Sequence, residues 1–279
     1  MGPTLPISKE LHQQKYRLDG ESFQEAMERI AKTLADNPSH YKKLLDILLE
    51  MRFLPAGRIQ NAIGSPRKVT ALNCYVSRTI EDSYEGIMQA LLEGGRTMRM
   101  GGGVGYDFSS LRGRGTPISS LGSHASGPVS FMHIFSANCL AICSAGHRRG
   151  AQMSCLRVDH PDVEEFIEAK NNSHMLTGFN ISVTCTDEFM NAVKNDLNFD
   201  LRWGGKVYKT VKARYLWDKI MRSTWDYAEP GVIFIDHVNA MNNLYYHHQI
   251  AASNPCSEQM LPPYGACLLG SFNLVKYLY

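Results

Sequence analysis

Long apolar runs are missing from this sequence. No stretch approaches the roughly 20 residues a helix needs to cross a bilayer, and the first 20 residues are polar, without the apolar segment of a secretory leader. The expectation is a cytosolic chain with no membrane partner. Charge of one sign is missing too: 29 Lys and Arg stand against 27 Asp and Glu, a net charge of +2, and the basic residues are scattered. That excludes a field strong enough to argue for nucleic acid and leaves small anionic ligands open. No cysteine pair has C-x-x-C spacing, which removes the usual zinc-site signature. The seven cysteines (74, 139, 143, 155, 185, 256 and 267) are odd in number and irregularly spaced in a chain too large for a disulfide scaffold. They are expected to be mostly reduced, with Cys139 and Cys143 in the core and no metal site. The dinucleotide motif G-x-G-x-x-G is also absent. Gly101-Gly102-Gly103-Val104-Gly105 has another spacing and follows a helical pattern instead of opening one, so it reads as a helix stop and tight turn, or as backbone approaching a ligand.

What is present is ample for a core: 279 residues, 44% of them hydrophobic. Helical periodicity over 21–35 and 39–53 predicts a small N-terminal helical region, residues 1–53. From 54 to 279, strands near residues 74, 106, 155, 181 and 233 alternate with helices over 82–100, 129–144, 161–170, 187–194 and 212–228. That alternation implies an α/β fold with a mainly parallel sheet and right-handed crossovers. A hairpin is expected to turn at Gly204-Gly205. Asp82 and Ser83 suit the start of the 82–100 helix, because their side chains can satisfy free first-turn amides. The polar, glycine-rich connection 111–128 is long enough to suggest binding. In it, Arg112 and Arg114 read either as a phosphate grip or as solvated loop arginines. His147 reads as a loop histidine and His247-His248 as a solvated pair. Asn180-Ile181-Ser182 and Asn171-Asn172-Ser173 match glycosylation acceptors, without consequence in a cytosolic protein.

Residues 253–259, Ser-Asn-Pro-Cys-Ser-Glu-Gln, place a carboxamide, a thiol and a carboxylate at alternate positions, Asn254, Cys256 and Glu258. In an extended strand all three would leave on one face, but spread over roughly 13 Å, too far to meet on one small substrate. A bent loop is therefore expected, and Pro255, Pro262, Pro263 and Gly265 support it.

The phrases RFLPAGRIQNAIG (52–64), LNCYVSRTIEDSYEGI (72–87), GGGVGYDFSSLRGRG (101–115), SAGHRRGAQMSCLRVDHPDVEEFI (144–167) and NPCSEQMLPPYGACLLGSFNL (254–274) together resemble the catalytic subunit of ribonucleotide reductase. They are most similar to its adenosylcobalamin-dependent class, with the class using a separate metal-containing radical subunit as the alternative. The resemblance implies the first five-stranded parallel half of a ten-stranded α/β barrel with a central catalytic finger loop. A complementary C-terminal half chain is then expected as a partner, as for a split subunit. By the same resemblance Cys256 would be the thiyl radical that removes the ribose 3′ hydrogen, Glu258 the base for the 3′ hydroxyl, and Asn254 the group holding the sugar hydroxyls. Cys74 and Cys267 would supply two electrons and close to a disulfide, later reopened by an external thiol reductant such as thioredoxin. Ala56, Gly57, Arg58 and Asn73 would lie near the ribonucleotide substrate. Asp82, Ser83, Arg112, Arg148, Arg149 and Gln152 would serve a deoxynucleotide (dNTP) effector site at a homodimer interface of the effector-site helices. No ATP-binding helical domain setting overall activity is expected.

Two other readings compete. One is a nucleotide-binding regulatory protein with the reductase fold and no activity of its own. The other is a cysteine hydrolase using Cys256, for which no histidine is convincingly placed as base.

Overall fold

The computed structural model describes residues 2–144, 148–171 and 175–278, with the side chains of 143, 144, 148 and 149 left aside. His147 therefore lies outside the described residues. Before the sheet come three helices, α1 (Pro6–Tyr16), α2 (Phe23–Leu34) and α3 (Pro38–Leu49). The first lies in the stretch read only as polar. It is held from outside: the His12 ring bonds Gln60 at 2.8 Å, and the Tyr16 ring lies against Gly57. The second starts with a reciprocal cap in which Ser22 Oγ accepts from the Glu25 amide and Glu25 accepts from the Ser22 amide, an arrangement that satisfies two otherwise free first-turn donors. Its buried stripe of Ala26, Met27, Ile30 and Ala31 packs on Leu48 of α3.

The third helix stops at Leu49, short of the expected residue 53. Phe53–Pro55 is instead a strand, antiparallel to Gly270–Phe272, with the Phe53 and Phe272 rings 5.3 Å apart edge to face. Pro55 disfavours helix at the residue before it, so local chemistry and tertiary pairing agree. A short helix α4 (Gly57–Ala62) follows.

The central sheet has strands β1 (Cys74–Val76), β2 (Gly103–Asp107), β3 (Gln152–Arg157), β4 (Phe179–Cys185), β5 (Gly231–Phe234) and β6 (Ala266–Cys267), in spatial order β5-β4-β3-β2-β1-β6. The five expected strands are all there and mutually parallel. The sixth, antiparallel to β1, was not expected and makes the sheet mixed. The first strand starts only at Cys74, and before it the Thr70 amide bonds Met100 O at 3.0 Å. Crossovers run through α5 (Tyr84–Arg99), α6 (Pro128–Ala141), α7 (Val163–Glu168), α8 (Asp187–Lys194) and α9 (Ala213–Tyr227), and β5 leads into α10 (Ile235–Ala240). The expected hairpin joins Asn198–Trp203 to Lys206–Lys212.

Both faces of the sheet are covered, as parallel sheets require. On the helix side Tyr106, Phe108, Phe135 and Phe179 form a buried aromatic cluster with ring centroids 5.0 to 6.3 Å apart. Each such ring contributes roughly 1.5–3 kcal/mol by leaving water. The other face carries Val76, Met153, Cys155 and Ile233, covered by Ala252, Met260 and Leu261 of the loop that bears Cys256. Among the described residues, no helix is long and apolar enough to cross a membrane.

Candidate active site

The stretch from Asn254 to Gln259 is the tip of a small hairpin. Ala252 and Ser253 pair antiparallel with Leu261 and Met260, the Ser257 amide donates to Asn254 O at 3.0 Å, and Ser257 takes a φ of 62°. The expected bent loop is what the chain forms. It lies directly on the sheet, and two glycines of β2 permit this. A Cβ at Gly105 would stand 1.7 Å from the Ser253 carbonyl oxygen, and one at Gly103 would stand 2.7 Å from Pro255 Cγ. Spaced two apart on a strand, both face the loop. The run Gly101–Gly105 thus does two jobs: Gly101, at a φ of +93°, follows the end of α5, while Gly103 and Gly105 clear a bed for the loop.

A side chain on β4 pins the loop from beside it. Asn180 Nδ2 donates to Pro255 O at 2.8 Å. Asn180→Ala should remove this tether while leaving the core face of β4 untouched, at a cost of about 0.5–1.5 kcal/mol. Hydrogen exchange of the 254–259 amides should accelerate relative to those of β4. Equal protection in both proteins would show that the tether does not hold the loop.

The return of the loop into β6 sets Cys267 directly opposite Cys74 on β1. Directly opposed residues of an antiparallel pair have Cα atoms about 4.5–5.5 Å apart, inside the about 4.4–6.8 Å that a disulfide spans. Both cysteines are reduced and buried. Their Sγ atoms and a Glu258 carboxylate oxygen all lie within 4.8 Å of one another. Asn254, fully buried, accepts at Oδ1 from the Gln259 amide (2.9 Å) and from Ser253 Oγ (3.1 Å). These two donors orient the carboxamide, so that its Nδ2 sits near the Cys74 sulfur without a hydrogen-bond partner among the described residues. Burial pushes the Cys74 thiol up to about 11; the Asn254 amide opposes the shift, and Cys267 and Glu258 add to it. At neutral pH Cys74 is therefore a protonated thiol. Alkylation of Cys74 at pH 8 should run about 100-fold slower than for an unperturbed thiol, since only the thiolate attacks. The rate should climb tenfold per pH unit up to about 11, as read by mass spectrometry of the modified peptide. A plateau near pH 9 would contradict this.

Cys256 is exposed at the loop tip. It lines a cavity with Cys74, Arg58, Asn73, Pro255, Ala151 and the Gly101–Gly103 backbone. Asn73 is buried there, and its Oδ1 has no donor among the described residues. Such an acceptor is costly unless a ligand or water completes it. Of the four residues expected near the substrate, Arg58 and Asn73 line this cavity. Ala56 and Gly57 are used otherwise: the Ala56 amide donates to Leu269 O at 3.1 Å, and Gly57 makes room for Tyr16, whose Cε1 would be 2.4 Å from an added Cβ.

A second, larger cavity of about 750 Å³ opens at the start of α5, lined by Asp82, Ser83, Arg112, His124 and Phe131 among others. Ser83 caps the helix, accepting from the Gly86 amide at 3.0 Å. Asp82 does not cap it. Its carboxylate takes the Arg112 amide (3.0 Å) and Arg112 Nε (2.6 Å), tying the 111–128 connection to the helix start. Arg114 turns away to Glu165. Gln152 is buried on the helix side, donating to Phe135 O at 3.1 Å, with Oε1 lacking a partner among the described residues. Arg148 and Arg149 pair by backbone with Ser144 and Cys143, and their side chains lie outside the described residues.

Sequence reading missed Gly103, Gly105 and Asn180 as parts of this site. The signal was present as two glycines at i, i+2 in a run read as a tight turn or as backbone approaching a ligand; in a strand such a pattern marks close backbone approach. For Asn180 no local signal exists.

Residues 72–279 match the family model described as ribonucleotide reductase, barrel domain. The vitamin B12-dependent ribonucleoside-diphosphate reductase of Thermoplasma acidophilum is 38% identical over 262 residues, which cover 92% of this chain and 34% of that protein. The protein of the same name from Mycobacterium tuberculosis is 36% identical over 280 residues, 96% of this chain and 40% of its own length. The class Id ribonucleotide reductase alpha subunit of Actinobacillus ureae superposes with a TM-score of 0.81 at 23% identity, over 98% of this chain and 50% of that one. This last likeness is one of fold.

Proposed function

The chain belongs to the ribonucleotide reductase family, its residues 72–279 matching the barrel-domain model, and from that premise we propose that it holds the radical and redox centre of a reductase converting ribonucleotides to 2′-deoxyribonucleotides. The chain spans about a third to two-fifths of the length of these two curated relatives. The activity is accordingly proposed for an assembly that includes the rest of the family's length, in the same chain or in a complementary one. The β5 edge, without a further strand among the described residues, and the exposed Phe272, Leu274 and Val275 support such association.

The observation that carries the reading is the meeting of Cys74, Cys267 and Glu258 within 4.8 Å, beside a cavity that Cys74 shares with Cys256. Cys256, as a thiyl radical, takes the 3′ hydrogen of the ribose and becomes a thiol. Glu258 accepts the 3′ hydroxyl proton, and its exposed side chain has the freedom to reach it. The 2′ hydroxyl then leaves as water with a proton from the cysteine pair. Two electrons and the second thiol proton pass from Cys74 and Cys267 to the sugar, where the proton ends on C2′ and the sulfurs join; Glu258 gives its proton back to O3′, and Cys256 returns the hydrogen to C3′. Cys74, a neutral thiol, is a fit proton donor in this step. Asn254 is oriented toward Cys74 by its two fixed donors, and Asn73 Oδ1 offers an acceptor in the cavity. An external thiol reductant such as thioredoxin reopens the disulfide.

Adenosylcobalamin, the group named for both curated relatives as vitamin B12, supplies an organic radical when bound. Exposure of Cys256 at the loop tip fits a radical source arriving from outside the chain, and fits a separate metal-containing subunit equally. The α5 cavity suits a dNTP effector in size. Exposed Tyr84 and Leu92 on α5 and Ile134 and Leu140 on α6 support a homodimer through these helices. The chain is read as cytoplasmic.

The deciding experiment combines this chain with the missing length of the family, under anaerobic thiol, and measures deoxyribonucleotide with and without adenosylcobalamin. Formation only with the cofactor is expected. Effector binding with no reduction under either condition, or with a metal-containing partner subunit, would favour the regulatory reading.

A further inference from the structure

The trio of Cys74, Cys267 and Glu258 has a property that redox chemistry does not use. Two thiols and one carboxylate with ligand atoms within 4.8 Å of one another form a borderline-soft donor set of the kind zinc selects. Tetrahedral zinc holds sulfur at about 2.3 Å and carboxylate oxygen at about 2.0–2.2 Å, which places two bound sulfurs about 3.8 Å apart. No pair of the three atoms is more than 4.8 Å apart, so each has at most about 1 Å to close. The two cysteines are already opposed across a strand pair, and Glu258, exposed on the loop tip, is free to bring its oxygen in. The Asn254 amide beside Cys74 would donate to a bound thiolate, an outer contact of the type that steadies metal ligands. Its Nδ2 is buried and otherwise without a partner.

We propose that the reduced pair, with Glu258, is a binding site for a thiophilic divalent cation of the zinc type, open at its fourth position. The ion uses the sulfur lone pairs that disulfide formation needs, so metal binding and oxidation exclude each other. Binding involves no electron transfer: the two thiols release two protons as the ion takes their place. This site goes beyond the reductase reading and rests on side-chain geometry alone.

The test is an anaerobic titration of the reduced chain with Cd2+, read by thiolate-to-cadmium ultraviolet absorption, and with Zn2+, read by metal analysis after gel filtration. Cys256→Ser serves as host so that the exposed thiol adds no background. One ion per chain is expected. Cys74→Ser or Cys267→Ser should weaken binding by more than about 100-fold, above the about 10–100-fold that outer contacts cost, and Glu258→Gln should weaken it about tenfold or more. The same host oxidised to the Cys74–Cys267 disulfide should bind no ion at this site, and this arm does not depend on either serine variant folding. Retention of the ion by the oxidised host, or unchanged affinity in folded serine variants, would overturn the proposal. An ion bound as expected in a chain whose full assembly never reduces ribonucleotide would sink the reductase reading alone.

Discussion

Cys256→Ser is expected to lower deoxyribonucleotide formation by at least about 10³-fold in the completed assembly while leaving effector affinity within twofold. The first half follows from bond strength. A radical relay needs an X–H bond that breaks and re-forms readily, and the serine O–H bond is much stronger than S–H. A barrier increase of only about 4 kcal/mol already amounts to 10³. The second half follows from placement. The large cavity at the start of α5 is lined by residues between Asp82 and Phe131, none of them from the 252–261 hairpin. Serine also keeps the size of cysteine at an exposed loop tip, so folding should be unaffected. Turnover above a few per cent would remove Cys256 from the radical role. Loss of effector binding along with turnover would point to misfolding instead.

Gly105→Ala should have the largest effect of any single methyl group in the site. Its Cβ would enter to 1.7 Å of the Ser253 carbonyl oxygen and 2.8 Å of the Ser253 carbonyl carbon. These are backbone atoms, so no rotamer change relieves the clash. Either β2 shifts within a sheet that is hydrogen-bonded on both sides, or the hairpin lifts. Overpacking of this kind costs about 1–3 kcal/mol or more, and the hairpin is the cheaper element to move. A lifted hairpin withdraws Asn254 and Glu258 from Cys74 and uncovers Met153, Cys155 and Ile233. A lower denaturant midpoint is expected, with turnover reduced by at least about 100-fold in the completed assembly. Faster alkylation of Cys155 should accompany this, because burial, helped by the Asp107 charge and opposed by the Ser253 backbone, holds that thiol up to about 12, and the hairpin shields it. A variant with unchanged midpoint, alkylation and turnover would mean that the hairpin does not sit where the glycines admit it.

How far the sequence could be read depends on the range of the interactions concerned. The five parallel strands, the five crossover helices and the hairpin at Gly204-Gly205 were legible because each rests on a local period or turn chemistry. The helix start at Ser83 was legible as a cap. Its neighbour Asp82 was not, since the choice between capping and bonding Arg112 depends on where the 111–128 connection returns. The first helix was missed because its order comes from His12 meeting Gln60 and Tyr16 meeting Gly57, contacts across some forty residues that leave little trace in its own pattern. The third helix was read too long because Phe53 continues its apolar rhythm until pairing with Phe272 claims it.

For the site, the sequence by itself determined the chemical inventory: a carboxamide, a thiol and a carboxylate on a proline-bounded loop, and two further cysteines with no local partner. Only the tertiary structure decided that Cys267 stands opposite Cys74, through a two-residue antiparallel strand too short to carry any periodic signal. It alone decided that Gly103 and Gly105 are a bed for the loop and not merely a tight turn after a helix, and that Asn180 is a tether. The physical reason is the same in each case. Local periodicity specifies which face of an element is apolar, whereas the meeting of distant segments is set by chain closure and packing over the whole sheet, which no window of neighbouring residues encodes.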